Sequence, residues 1–89
     1  MPKVIFTPNI QRHVACPETL ASGETVREVL DNAFLHNPRA RGYVLDDQGA
    51  LRRHMTIFLD GHTIRDRAQL SDPVVETSTI YVLQALSGG

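Results

Sequence analysis

The stretch Gly23-Glu24-Thr25-Val26-Arg27-Glu28-Val29-Leu30-Asp31-Asn32-Ala33-Phe34 decides how this 89-residue chain folds. Thr25 and Glu28 have the spacing of a capping box, in which two side chains satisfy N–H groups that a helix start leaves without partners. Val26, Val29, Leu30, Ala33 and Phe34 then recur at i, i+3, i+4, i+7 and i+8, the stripe of an amphipathic helix. Asn37-Pro38 ends it, because a proline pushes the residue before it out of helical geometry. One helix is expected from Thr25 to about His36.

On either side of that helix the pattern is that of strands. Lys3-Val4-Ile5-Phe6-Thr7 is rich in β-branched and aromatic residues and stops at Pro8-Asn9. Arg12-His13-Val14-Ala15-Cys16 reads as a second strand, broken by Pro17 and paired with the first as a hairpin. From Arg39 to Arg53 the chain is polar, with a short apolar piece at Tyr43-Val44-Leu45 and a turn at Asp46-Asp47-Gln48-Gly49. Met55-Thr56-Ile57-Phe58-Leu59 is a strand ended by the tight-turn dipeptide Asp60-Gly61, after which His62-Thr63-Ile64 reads as a short edge strand. Residues 65–78 are mixed, and Thr79-Ile80-Tyr81-Val82-Leu83-Gln84 is the last strand.

One helix covering one face of a mixed sheet is an α+β arrangement. Its order and length describe a β-grasp domain over residues 1–84, with the first and last strands side by side at the sheet centre. Residues 85–89, Ala85-Leu86-Ser87-Gly88-Gly89, read as a flexible tail. A chain of this size buries roughly 60–65% of its unfolded surface, which allows one modest core.

Composition narrows the function. An apolar fraction of 42% with 21% charged residues is that of a soluble globular protein. A net charge of −1 gives no global attraction to nucleic acid or anionic lipid. The single cysteine, Cys16, excludes an internal disulfide and suits a reducing compartment. The opening residues lack the apolar run of a signal peptide, and no segment approaches a membrane span, so a cytoplasmic protein is expected. Arg39, Arg41, Arg52, Arg53, Arg65 and Arg67 crowd the middle third; they read either as a solvated loop surface or as a docking site for an acidic partner patch.

Little in the sequence points to catalysis. His13, His36, His54 and His62 have no metal-ligand spacing, and no CxxC or HxxxH is present, so no metal is expected. There is no glycine-rich phosphate loop, and no cofactor is expected on the chain itself. Asp46-Asp47 and the Asp60/Asp66 pair read as turn and surface residues, and Cys16 as a plain buried thiol.

Several of these pieces resemble one family. Gly23-Glu24-Thr25-Val26 with Val29-Leu30 is similar to the helix start of the ThiS/MoaD ubiquitin-like sulfur carriers. Asp46-Asp47-Gln48-Gly49-Ala50-Leu51-Arg52, then Ile57-Phe58-Leu59-Asp60-Gly61 and Ile64-Arg65, resembles the larger members, of about 90 residues. The ending Gly88-Gly89 completes the pattern. Two features depart from it: Val75-Glu76-Thr77-Ser78 replaces a Gly-Asp-containing turn, and Gln84-Ala85-Leu86-Ser87 replaces a proline before the tail.

The resemblance implies a protein cosubstrate, not an enzyme. An ATP-dependent adenylating enzyme, similar to ubiquitin-activating enzymes, joins AMP to the Gly89 carboxylate. Sulfur from a persulfide donor converts it to a thiocarboxylate, and a synthase accepts that sulfur into a small metabolite. Gly88 and Gly89 suit a narrow enzyme cleft in which a Cβ would clash. Strand alternation puts Phe58, Tyr81 and Leu83 on one outer face leading towards Leu86 and the tail, either as a partner-binding patch or as scattered surface hydrophobics. Three alternatives stand beside the carrier: the small subunit of molybdopterin synthase, a ubiquitin-like modifier joined through Gly89 to lysines, and a plain β-grasp interaction module.

Overall fold

A computed structural model describes residues 1–84 of the chain. The elements are β1 (Lys3–Phe6), α1 (Pro8–Gln11), β2 (Thr19–Leu20), α2 (Val26–Ala33), α3 (Pro38–Val44), β3 (Met55–Leu59), β4 (His62–Thr63) and β5 (Thr79–Gln84). Five strands form one mixed sheet in the order β2-β1-β5-β3-β4. β1 and β5 pair in parallel and the other neighbours are antiparallel. The fold is α+β and β-grasp, with β1 and β5 adjacent and β5 at the centre, as the β-rich character of these two segments implies.

The helix start is built by its side chains. Thr25 is the N-cap of α2, and its hydroxyl accepts from the Glu28 N–H at 3.2 Å. Glu28 reaches back one residue further than a standard capping box, accepting from the Glu24 N–H at 3.0 Å. Val26, Val29 and Leu30 are fully buried, and Phe34 places its ring centroid 5.8 Å from that of Phe6. From the sheet, Val4, Phe6, Met55, Ile57, Ile80 and Val82 enter the same buried cluster. The alternation Val4/Phe6, Ile57 and Ile80/Val82 therefore fixes which sheet face meets the helices.

Three local expectations are corrected. Arg12–Cys16 is not a strand: Pro8 opens the one-turn helix α1, where its missing N–H and fixed φ cost nothing. Ile10 and Val14 are both buried, a helical i, i+4 spacing, and the His13 and Val14 N–H groups both bond the Ile10 carbonyl. The partner of β1 is β2, only two residues long, with Lys3 opposite Leu20 and Val4 opposite Thr19.

The second correction is the end of α2, which closes at Ala33. The bonds Leu35 N–H to Asn32 C=O and Asn37 N–H to Phe34 C=O tighten the chain to an i→i−3 pattern before Pro38. The third is α3 in the stretch read as polar loop. Asn37 caps this new helix, accepting from the Ala40 N–H at 3.3 Å with Pro38 at the first helical position. Ala40 and Val44 bury the inner side of that helix.

The expected turn between β3 and β4 is present. Asp60 and Gly61 have φ of 51° and 88°, the paired positive values of a type I′ hairpin. Asp60 also accepts from the Thr79 N–H at 2.8 Å, locking the turn to the start of β5.

Candidate partner-docking face

Because the sheet buries one face only, its odd partners must point the other way. Phe58 stands directly opposite Tyr81, and Thr56 opposite Leu83. Phe58 and Tyr81 are 37% and 39% exposed, the two exposed aromatic side chains of the outer face, while Leu83 is half-buried beside them. The expected cluster is therefore assembled across two strands. Ile5 extends it: it faces Tyr81 from β1 in the parallel pair and is half-buried. The sequence reading missed Ile5, although the inward pair Val4 and Phe6 already required it to point outward. Lys3 and Thr63 rim the patch, opposite Thr79 and Phe58 respectively.

The other expected site residues, Leu86, Gly88 and Gly89, lie outside the described residues. The root of the tail is described. Gln84 ends β5 opposite Met55, and the Tyr43 hydroxyl donates to its side-chain oxygen at 3.1 Å. The His13 ring stacks on Tyr43 with centroids 5.7 Å apart. No sequence signal linked His13, Tyr43 and Gln84, since three separate elements bring them together.

The arginines divide by what their guanidinium groups touch. Arg27 donates to the carbonyls of Gly49 at 2.7 Å and Gln69 at 3.2 Å, pinning two loops to α2. Arg41 pairs with Asp31 at 2.7 Å, Arg52 donates to the Gly42 carbonyl, and Arg67 to the carbonyls of Arg52 and Arg53. Two of the six crowded arginines, Arg52 and Arg67, are thus internal ties that satisfy backbone carbonyls, and Arg41 holds a carboxylate of α2, roles that neither sequence reading contained.

The carboxylates singled out earlier also work on the backbone. Asp46 accepts from the N–H groups of Gln48 and Ala50, and Asp66 from those of Gln69 and Ala68 and from the Ser71 hydroxyl at 2.6 Å. Gln69 first, then Ser71, hold the Asp66 carboxyl below the usual carboxylate range. Cys16 is buried, donates to the Val14 carbonyl at 3.3 Å, and burial pushes its thiol up. No helix among the described residues is long and apolar enough to cross a membrane. Among those residues no three His, Cys, Asp or Glu side chains gather as a metal site.

No protein-family model and no curated protein matches the sequence. Solved structures do match it. A chain of the Amycolatopsis orientalis BexX/CysO complex superposes with a TM-score of 0.82 at 20% identity, covering 100% of both chains. Small archaeal modifier protein 1 (SAMP1) from Methanosarcina acetivorans gives 0.78 at 26% identity, over 99% of this chain and 95% of that one. Mycobacterium tuberculosis CysO gives 0.79 at 18%, over 97% and 100%. The fold of the described residues is that of the ThiS/MoaD-like ubiquitin-like proteins.

Proposed function

We propose, from the β-grasp fold shared with CysO and SAMP1, that this chain is a cytoplasmic sulfur carrier and a cosubstrate of other enzymes. An ATP-dependent adenylating enzyme condenses the Gly89 carboxylate with ATP, releasing pyrophosphate. Sulfur of a persulfide donor displaces AMP from the acyl carbon, and a thiol reductant frees the thiocarboxylate. A sulfur-accepting synthase then takes that sulfur into a small metabolite.

The observation that carries this reading is the course of β5. The strand that holds Tyr81 opposite Phe58 on the outer face continues directly into the segment ending in Gly88-Gly89. A partner that grips the aromatic pair meets the chain four residues before Ala85, where the tail begins. Fixing each tail residue costs roughly 1–2 kcal/mol, which contact with a rigid sheet face offsets. Glycine at both terminal positions leaves no Cβ to obstruct close approach.

A protein modifier is the second reading, favoured by the 26% identity to a structure named as a modifier. In that case Gly89 ends in an isopeptide bond to a lysine of a target. Lys3 is the only lysine of the chain, which leaves one side chain for self-conjugation.

Pyrophosphate exchange into ATP, catalysed by the adenylating enzyme of the host, tests the activation step common to both. The full chain should support exchange and a chain lacking Gly88-Gly89 should not. Equal exchange with both chains, or none with either, would overturn the proposal.

A further inference from the structure

Arg12 and Arg39, left over from the internal ties, share a cleft with His13. The cleft has a volume of about 250 Å³, lies between the end of α1 and the start of α3, and also involves Asn37. No acidic residue lines it, in a chain whose net charge is −1. The ion pairs among the described residues are Met1–Glu76, Lys3–Glu18 and Arg41–Asp31, so neither Arg12 nor Arg39 has a carboxylate partner there. The walls are held in place: Asn37 donates to the Ala15 carbonyl at 2.8 Å, and the Arg12 N–H to the Pro8 carbonyl at 3.1 Å.

The position of the cleft matters as much as its charge. His13 stacks on Tyr43, whose hydroxyl holds Gln84, so a wall of the cleft is linked to the root of the tail through two side-chain contacts. Residues 85–89 reach at most roughly 17 Å when extended. A protein holding Gly89 therefore has its own surface within reach of this cleft.

We propose that the Arg12–His13–Arg39 cleft binds an acidic surface segment of the protein that receives the tail. Two guanidinium groups suit paired recognition of carboxylates, and a cationic site at the tail root orients the encounter before the tail threads in. The identity of this occupant rests on the carrier reading. The binding itself is measured without it.

The test is an amide-NMR titration of the full chain with a hexaglutamate peptide and, separately, with inorganic phosphate. Hexaglutamate should shift the amides of Arg12, His13, Asn37 and Arg39. The R12Q/R39Q variant should bind it about tenfold more weakly, while R53Q/R65Q binds like the parent chain. The variant's own spectrum reports that it is folded. Shifts scattered over Lys3, Arg53 and Arg65, or equal weakening in both variants, would overturn the proposal. So would displacement of the peptide from the cleft by phosphate at equal concentration, which would make the site one for small oxyanions. Thiocarboxylate formation is scored on the parent chain, so the carrier reading is judged separately from the titration.

Discussion

Phe58 and Tyr81 face each other across β3 and β5 on the sheet surface opposite the buried cluster, each a little over one-third exposed. Two aromatic side chains so placed lie outside the buried cluster and are open to a partner. In a double-mutant cycle, Phe58→Ala and Tyr81→Ala should show a coupling of about 0.2–1 kcal/mol in unfolding free energy. Thiocarboxylate formation should fall by about tenfold or more in each single variant, because centrally placed aromatics dominate docking energy. Folded variants with unchanged rates of activation would remove this face from the docking site.

Thr25 is the N-cap of α2 in both the sequence pattern and the structure. Thr25→Ala should lower stability by about 0.5–2 kcal/mol through loss of its bond to the Glu28 N–H. The denaturant midpoint should shift with no change in the slope of unfolding.

This helix also shows why the fold was legible and where legibility stopped. Its stripe repeats over nine positions, Val26 to Phe34, long enough to separate a period of 3.6 from a period of 2. The α1 region offers only Ile10 and Val14 before Cys16, and Val14 with Cys16 fits strand alternation equally well. Tertiary packing of Ile10 and the proline at position 8 made it helical. Asn37-Pro38 reads as a stop but is a start: α2 has already closed at Ala33, and the proline favours the helix that follows it.

On the outer sheet face, alternation places Phe58, Tyr81 and Leu83 on one side because strand geometry is local. The tail root was illegible, since His13, Tyr43 and Gln84 meet only through folding.

Cys16 should be unreactive in the folded chain. Burial raises its thiol pKa, so the thiolate is disfavoured in the folded state. A group raised in this way contributes stability below the ordinary thiol range and loses it as pH rises through the folded value. Alkylation by iodoacetamide at neutral pH should therefore speed up by at least about tenfold when denaturant is added. Equal rates in the two states would contradict the burial.

Acid should destabilise the fold partly through Asp66 and Glu76. Asp66 is held low first by the Gln69 N–H and then by Ser71, and Glu76 by its hydrogen bond to the N-terminal amine and then by that charge. Carboxylates lower in the folded state contribute stability above the ordinary carboxylate range and lose it as pH falls through their folded values. Plotted against pH, the Tm of Asp66→Asn should fall less steeply on the acid side than that of the parent chain. A parallel acid limb would show that the Asp66 loop does not report on global stability.

The most direct test of the account is the intact mass of the protein recovered from its native host under reducing conditions. A population heavier by the exchange of one oxygen for one sulfur, absent from a chain lacking Gly89, is the predicted result. A uniformly unmodified carboxylate in sulfur-limited and sulfur-replete cells alike would contradict the carrier, and Gly89 found linked to lysine would replace it with the modifier.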